Sequence, residues 1–493
     1  MVPSFVAFPF EELNFYSGEV LYMKISCSSV SFRCSTVWML FVFVLVAFIS
    51  VTGTSTAVYA ETWTVNTTID DVSDSGSLRY AIENATSQDV ITFHLEYPAI
   101  ITLSDQLSIE HGLTIQGPGA ENLAVSGGGE CRVFYIETPE SVNISGISIV
   151  SGDSASGGGM FNYNSSPTLT NCTFSGNSAD KWGGGMCNSK SDPTVMSCTF
   201  SWNSAGELGG GMYNHNISNP TVTNCTFSSN SAVNGGGMRN SNSSPTVTNC
   251  TFSENSAKYV GGMLNYSSSP SVTNCIFWNA ASREIRNDFS TTTLGYCVVQ
   301  SDDYAGSTIL EYVTSADPML QPLADNGGPT WTCALGEGSS AIDSGITVDG
   351  VSMDQRGVIR PQGGTFDIGA YEAKYFTINS YCNPGGSISP ESARVLWEAS
   401  MESTDFYIFP DSGYEAYGVY VDGDPVSYDE VNCAYTFKNL SDDHILMAFF
   451  IPSDDNDDDD DDDDDGDGCN ISALPGMGFL LLLPLLFLSG TRK

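Results

Sequence analysis

Five cysteines, Cys172, Cys198, Cys225, Cys250 and Cys275, follow one another at intervals of 25 to 27 residues. Evenly spaced thiols can pair as disulfides, hold a metal or carry redox chemistry. The last two need a C-x-x-C pair or a nearby histidine, and neither accompanies these positions. Disulfides fail on geometry if the spacing reflects stacked strands. Equivalent residues of neighbouring strands keep Cα and Cβ about 4.8 Å apart, whereas a bridge brings the Cβ atoms to near 3.8 Å. An odd number of thiols also suits a paired framework poorly. The expectation is a file of free, buried thiols acting as small core residues.

Other candidates for catalysis are dispersed. The four histidines, His94, His111, His215 and His444, stand apart in sequence. Asp89, His94, Glu96, Asp105 and His111 could converge in the N-terminal region, where ordinary exposed charges are the simpler reading. Asp354, Arg356, Asp367 and Glu372 invite an active-site assignment, but charges are rarely buried unless paired, which favours structural ion pairs. Between Gly157 and Ala280 the charged residues are Asp180, Lys181, Lys190, Asp192, Glu207, Arg239, Glu254 and Lys258, mostly at places that do not match from one interval to the next. Neither a G-x-S-x-G elbow nor an H-E-x-x-H helix occurs. The residues therefore predict no catalytic centre, cofactor or metal site.

What positions the cysteines is a repeat, G-G-(G)-M-x-N followed by S-x-P-T-V-T-N-C-T-F-S-x-N-S-A, with Met160, Met186, Met212, Met238 and Met263 in register. A fixed period of this size means stacked copies of one supersecondary unit. Each copy is rich in Thr, Ser, Asn, Gly, Val and Phe and lacks a 3.6-residue apolar stripe, so the units are strands and turns. In Thr221 to Phe227, alternation places Val222 inward, slips at Asn224, then resumes with Cys225 and Phe227 inward. That slip is a corner. A strand that turns through polar corners and returns after about 26 residues is one coil of a right-handed parallel β-helix, the all-β solenoid of the pectin-lyase type. Met, Val, Cys and Phe should fill its interior. Gly-Gly-Gly should supply a positive φ, and Asn171, Asn224, Asn249 and Asn274 should form an amide ladder between coils, with Ser197 as its one break.

The ends of the chain have other tasks. Residues 1–60 read as a signal peptide: an apolar run from Val37 to Val51 follows Lys24 and Arg33, and Val58-Tyr59-Ala60 forms a cleavage site. Met23 is the better start, and an uncleaved anchor is the alternative. Residues 453–468 form an Asp-rich linker too charged to fold. Asp461, Asp463, Asp465 and Gly466 mimic the opening of a calcium loop, but no acidic residue closes it. In residues 469–493 an apolar stretch from Ile471 to Leu488 precedes Arg492-Lys493, the order of a membrane anchor with its basic end in the cytoplasm. Gly468-Cys469 before that stretch resembles the Synergist-type C-terminal sorting tails of diderm bacteria. The resemblance implies cleavage of the tail and makes Cys469 a lipidation candidate. A formal charge of −41 argues against nucleic acid as a partner.

Between these ends, residues 61–156 read as an N-terminal cap and first coils, with a short helix around Ser77 to Ile82. The wording G-S-L-R-x-A-I and I-x-G-P-G resembles secreted bacterial β-helix proteins, including those with polymorphic outer-membrane-protein-type repeats, as do the coils of 157–310. Residues 311–372 carry Asp325-Asn326-Gly327-Gly328-Pro329-Thr330, Ser340-Ala341-Ile342-Asp343-Ser344-Gly345, Asp354-Gln355-Arg356-Gly357 and Asp367-Ile368-Gly369-Ala370-Tyr371-Glu372. This series resembles the choice-of-anchor Q domain of β-helix surface proteins and is expected to close the second end of the solenoid. Residues 373–452 form a separate small all-β module, similar to bacterial spacer repeats, in which Cys382 and Cys433 could pair. The functional expectation is a non-enzymatic, exported protein anchored at a bacterial cell surface or outer membrane through its tail. It would be adhesin-like or envelope-structural, and its polar face would offer a glycan or protein ligand many weak hydrogen bonds. The alternative is a polysaccharide lyase or glycoside hydrolase, since the pectin-lyase fold also carries such enzymes, which need carboxylates clustered on one face.

Overall fold

The computed structural model describes residues 60–279, 283–300, 306–396 and 403–453. The chain divides into two units, Met1–Ala60 and Glu61–Lys493, and the architecture below is that of the second. The expected leader, the Asp-rich linker and the tail with Gly468 and Cys469 lie outside the described residues. Among the described residues no helix is long and apolar enough to cross a membrane.

From Glu61 the chain winds through about nine turns of a parallel β-solenoid. Its strands build three parallel sheets of 19, 8 and 5 members. One coil shows the plan. Met212–His215 enters one sheet, Thr221–Thr223 and Thr226–Ser228 enter the second, and Ser231–Ala232 enters the third. The corner between Thr223 and Thr226 is made by Asn224 at φ 51°, so Val222, Cys225 and Phe227 all point inward and are fully buried.

Stacking is in register. Met186 pairs with Met212, Met212 with Met238, Val195 with Val222 and Phe200 with Phe227. The phenylalanine rings of residues 174, 200, 227, 252 and 277 form a column with centroids 4.6 to 4.7 Å apart, a spacing imposed by the backbone. Each buried side chain of this size contributes about 1.5 to 3 kcal/mol. The first glycine of a triplet takes the left-handed turn, φ 63° at Gly183. The second has no space for a side chain, since a Cβ on Gly184 would lie 2.3 Å from the Ser204 carbonyl oxygen.

The interior amide ladders use asparagines other than those expected. In one, Asn177, Asn203, Asn230, Asn255 and Asn279 pass bonds of 2.8 to 2.9 Å from each Nδ2 to the next Oδ1, and each backbone N–H donates to the same oxygen. In the other, Asn162, Asn188, Asn214, Asn240, Asn265 and Asn287 are linked at 2.7 to 3.0 Å. Asn171, Asn224, Asn249 and Asn274 occupy the corner instead, at φ 49° to 55°. Their amides point out of the coil, and those of Asn224 and Asn274 are covered by the segment around Ile346 and Met353. Asn224 donates to the Met353 carbonyl, and a single rung of 2.9 Å joins Asn274 to Asn249. The reason is conformational: asparagine tolerates the left-handed region, and a residue there directs its side chain out of the corner.

Helix α1 (Leu78–Asn84), capped by the Ser77 side chain, packs Leu78, Ala81 and Ile82 against the first coils. The segment 311–372 was expected to close the opposite end. It runs along the flank instead. Thr330 and Trp331 bond to Ser197 and Thr199, Gln355 to Thr199 and Thr226, and Ala370 to Thr251. Its cause is the outward face of the last coils: Ile276 and Val298 stand where earlier coils carry threonine, and they pack under Ala334, Leu335, Ile368 and Tyr371. The final solenoid strand, Thr308–Thr314, leaves Leu310 65% exposed, so the strap does not cover it. After it come two antiparallel-rich sheets of 5 and 3 strands around Phe376, Ile378, Phe406, Ile408 and Leu446, the small all-β module. Cys382 and Cys433 within it are free.

Two expected outcomes follow from the ladder. Asn203→Ala strands a buried backbone N–H and a carbonyl and should cost about 2 to 5 kcal/mol in denaturant unfolding, while Asn171→Gly, which keeps the left-handed corner, should cost under about 1 kcal/mol. At the ladder's end Glu284 accepts from the Asn279 N–H and Nδ2, and burial pushes its carboxyl up to about 7. The folded protein therefore holds a proton there that the unfolded chain, titrating near 4.3, has already lost. Stability should fall as pH rises from about 4.5 to 7, by on the order of 3 kcal/mol, and level off above. Unfolding followed against pH checks this, with Glu284→Gln expected to reduce the slope by that amount and to leave the part that Asp367, also pushed up to about 7, contributes.

Candidate functional site

The cysteine file is structural in its bonding. Cys172, Cys198, Cys225, Cys250 and Cys275 are fully buried and free. The N–H of Cys172 donates to the Cys198 sulfur at 3.4 Å, and the same contact recurs from Cys198 to Cys225 and from Cys250 to Cys275. Each sulfur also points its proton at a carbonyl two residues back, 3.1 Å in Cys198 and Cys250. Burial pushes the Cys225 and Cys275 thiols up, and that of Cys297 to about 12. Cys297 extends the file by one coil, its sulfur facing the Val272 and Gly295 carbonyls. It escaped the sequence pattern because its setting, Gly-Tyr-Cys-Val-Val, lacks the Thr-Asn-Cys-Thr-Phe frame.

Of Asp89, His94, Glu96, Asp105 and His111, the residues that could converge, only Asp105 and His111 come together, lining a cleft of about 500 Å³ beside Arg79, Glu83 and Glu110. Arg79 in that cleft is committed to Asp70 at 2.8 Å and to the Asp105 and Gln106 carbonyls. Asp89 is buried, and its oxygens accept from Glu61 N, Thr86 N and Trp63 Nε1, an arrangement that ties the first strand to the next coil. His94 and Glu96 are not among the lining residues.

Asp354, Arg356, Asp367 and Glu372 do come together, with Arg360 as a member that the sequence did not single out. Asp354 pairs with Arg356 and Glu372 with Arg360, each at 2.9 Å. The Arg356 guanidinium lies 3.4 Å from the Tyr371 ring centre. Every carboxylate here accepts backbone N–H groups: Asp354 from Val358, Asp367 from Asp343 and Ala373, Glu372 from Gln362 and Asp367. Burial first, then the neighbouring Glu372 charge, pushes Asp367 up to about 7. This knot shapes the strap and lies within it. Among the described residues no three His, Cys, Asp or Glu side chains gather as a metal would require.

The surface that remains open is the part of the outer flank that the strap does not reach. Parallel pairing sets Ser148 beside Thr173 and Thr173 beside Thr199, with Val150, Ser175 and Ser201 as a second file. Where the strap begins, a cleft of about 370 Å³ lies across these strands. Trp202 and Trp331 line it with 51% and 46% of their surfaces exposed, together with Glu121 and Asp325. Sequence reasoning missed this cleft because Trp202 and Trp331 are 129 residues apart in the chain and only the strap's path joins them.

Residues 100–237 and 207–314 match the family model of the right handed beta helix region. The solenoid is a right-handed parallel β-helix. No curated protein matches the chain. Among solved structures it is similar to the pectate lyase Pel9A, with 12% identity, a TM-score of 0.44, and coverage of 64% of this chain and 98% of that one. It is also similar to Jun a 1, the major allergen from cedar pollen, with 14% identity, a TM-score of 0.32, and coverage of 62% and 85%.

The buried file makes a prediction. In the native protein a small alkylating reagent near pH 8 should modify Cys382 rapidly and leave Cys172, Cys198, Cys225, Cys250, Cys275 and Cys297 unmodified until denaturant is added, as read by peptide mass spectrometry. Bridged or reactive thiols in that file would contradict the assignment.

Proposed function

We propose that this protein is a non-enzymatic, exported β-helix protein held at a bacterial surface by its C-terminal tail, whose solenoid presents a polar flank to an extracellular glycan. The observation that carries the reading is the contrast along one flank. The strap covers the Thr199, Thr226 and Thr251 faces, while Ser148, Thr173 and Ser175 stay open to a cleft with exposed indoles. Hydroxyls in register on successive coils suit many weak hydrogen bonds to a repeating ligand. Carboxylates that would serve an acid–base mechanism are elsewhere spent on backbone N–H groups, in Asp89, Asp354, Asp367 and Glu372. The choice-of-anchor Q resemblance supports display at a surface, and the Synergist-type tail resemblance supports the anchor.

A glycan array probed with the purified full chain, run beside assays for reducing and unsaturated sugar ends on bound polysaccharides, tests this. Binding without product release is expected. Release that disappears in Glu121→Gln or Asp325→Asn would establish a polysaccharide-degrading enzyme instead.

A further inference from the structure

We infer that the cleft between Trp202 and Trp331 is a saccharide subsite selective for uncharged sugars over uronates; this rests on the glycan-binding reading above and names its site and ligand class. Trp202 occupies a telling position. Gly176, Trp202, Ser229 and Glu254 follow a strand at the same place in successive coils, all with positive φ between 53° and 63°. Each donates its backbone N–H to the coil beyond, as Trp202 does to Ser228. A bulky aromatic residue is costly in that conformation, and such strain collects where a side chain must be presented for function. The indole is 51% exposed and, among the described residues, is a member of none of the buried apolar clusters.

Trp331 reaches the same cleft from the strap, where its carbonyl oxygen, not its ring, secures the strap by accepting from Thr199 Oγ1 at 2.6 Å and from Gln355 Nε2 at 3.0 Å. Its indole is thus also free of any fold-holding bond to these partners. Two exposed rings at the rim, with Ser148, Thr173, Ser175 and Ser201 on the floor, combine the apolar and hydrogen-bonding faces of a sugar. The cavity is of the size that small ligands fill. Coils rise by roughly 4.8 Å, close to the length of one sugar ring, so hydroxyls on adjacent coils can address adjacent sugars.

Charge sets the selectivity. Among the described residues the lining includes Glu121 and Asp325 and no lysine or arginine. The whole chain carries −41. A uronate carboxylate placed there meets like charges at short range without a cation to offset them. A neutral hexose or pentose meets carboxylate acceptors and serine and threonine hydroxyls for its own hydroxyls, without that repulsion.

The test is titration of the full chain, followed by intrinsic tryptophan fluorescence and calorimetry, with cellohexaose, xylohexaose and mannohexaose as neutral probes and hexagalacturonate as the charged one. At least one neutral probe should bind at least tenfold more tightly than hexagalacturonate. Trp202→Ala and Trp331→Ala should each weaken it tenfold or more with unchanged thermal unfolding, and the Glu121→Gln, Asp325→Asn double variant should narrow the gap between neutral and charged probes. Binding that survives both tryptophan changes would overturn this site and leave the glycan-binding reading standing. Preference for hexagalacturonate would overturn the selectivity. Failure of every probe, together with a blank glycan array, would overturn both.

Discussion

Coils of this solenoid stack because the asparagine amides drawn into the wall find partners in the next coil, at the spacing the parallel strands dictate. The asparagine file from Asn177 to Asn279 does so twice over, because each Oδ1 from Asn203 onward takes both an amide and a backbone N–H from its neighbour. A ladder of this kind is polar along its length and needs an end. At one end Asn177 Oδ1 accepts from Gly152 and its Nδ2 donates to the Ile149 carbonyl. At the other Glu284 supplies two acceptors where the next asparagine would stand. Methionine, valine, cysteine and phenylalanine fill the space between the ladders, and their identical neighbours above and below follow from the same register.

A wall so constrained inside leaves its outer faces to vary, and variation there is where function enters. The strap uses the outer flank of the later coils as its own packing surface, with Gln355 and the Trp331 carbonyl occupying the Thr199 and Thr226 hydroxyls and Thr330 donating to the Ser197 carbonyl. Its apolar residues answer Ile276 and Val298, so the covered part of the flank is committed to folding. The earlier coils keep theirs open. The boundary between the two is also where the indoles of Trp202 and Trp331 meet a floor of serine and threonine. Fold and proposed binding surface are in this sense two uses of one ladder of side chains.

Much of the architecture was legible because the repeat itself encodes it: a fixed period gives stacking, alternation gives the inward set, and the slip at Asn224 gives the corner. The ladder was misread for a physical reason. Asn171 and its equivalents are selected for the left-handed backbone, whereas the asparagines of the x-N-S-A and M-x-N elements turn inward, and both classes repeat equally well in sequence. A second class of error came from long-range placement. Nothing local in residues 311–372 distinguishes a cap from a strap. The exposed pair of indoles depends on that path and was invisible for the same cause. Arg360, at the centre of the carboxylate knot, lacked any motif and was found only through its buried bond to Glu372.

The central claim is that equivalent residues of successive coils lie directly over one another. Anomalous scattering from selenomethionine and sulfur in crystals of the full chain measures this most directly. Met160, Met186, Met212, Met238 and Met263 should give one file of scatterers and Cys172, Cys198, Cys225, Cys250, Cys275 and Cys297 a second, each stepping by roughly 4.8 Å. Scattered positions, or sulfur pairs at about 2.05 Å, would contradict it.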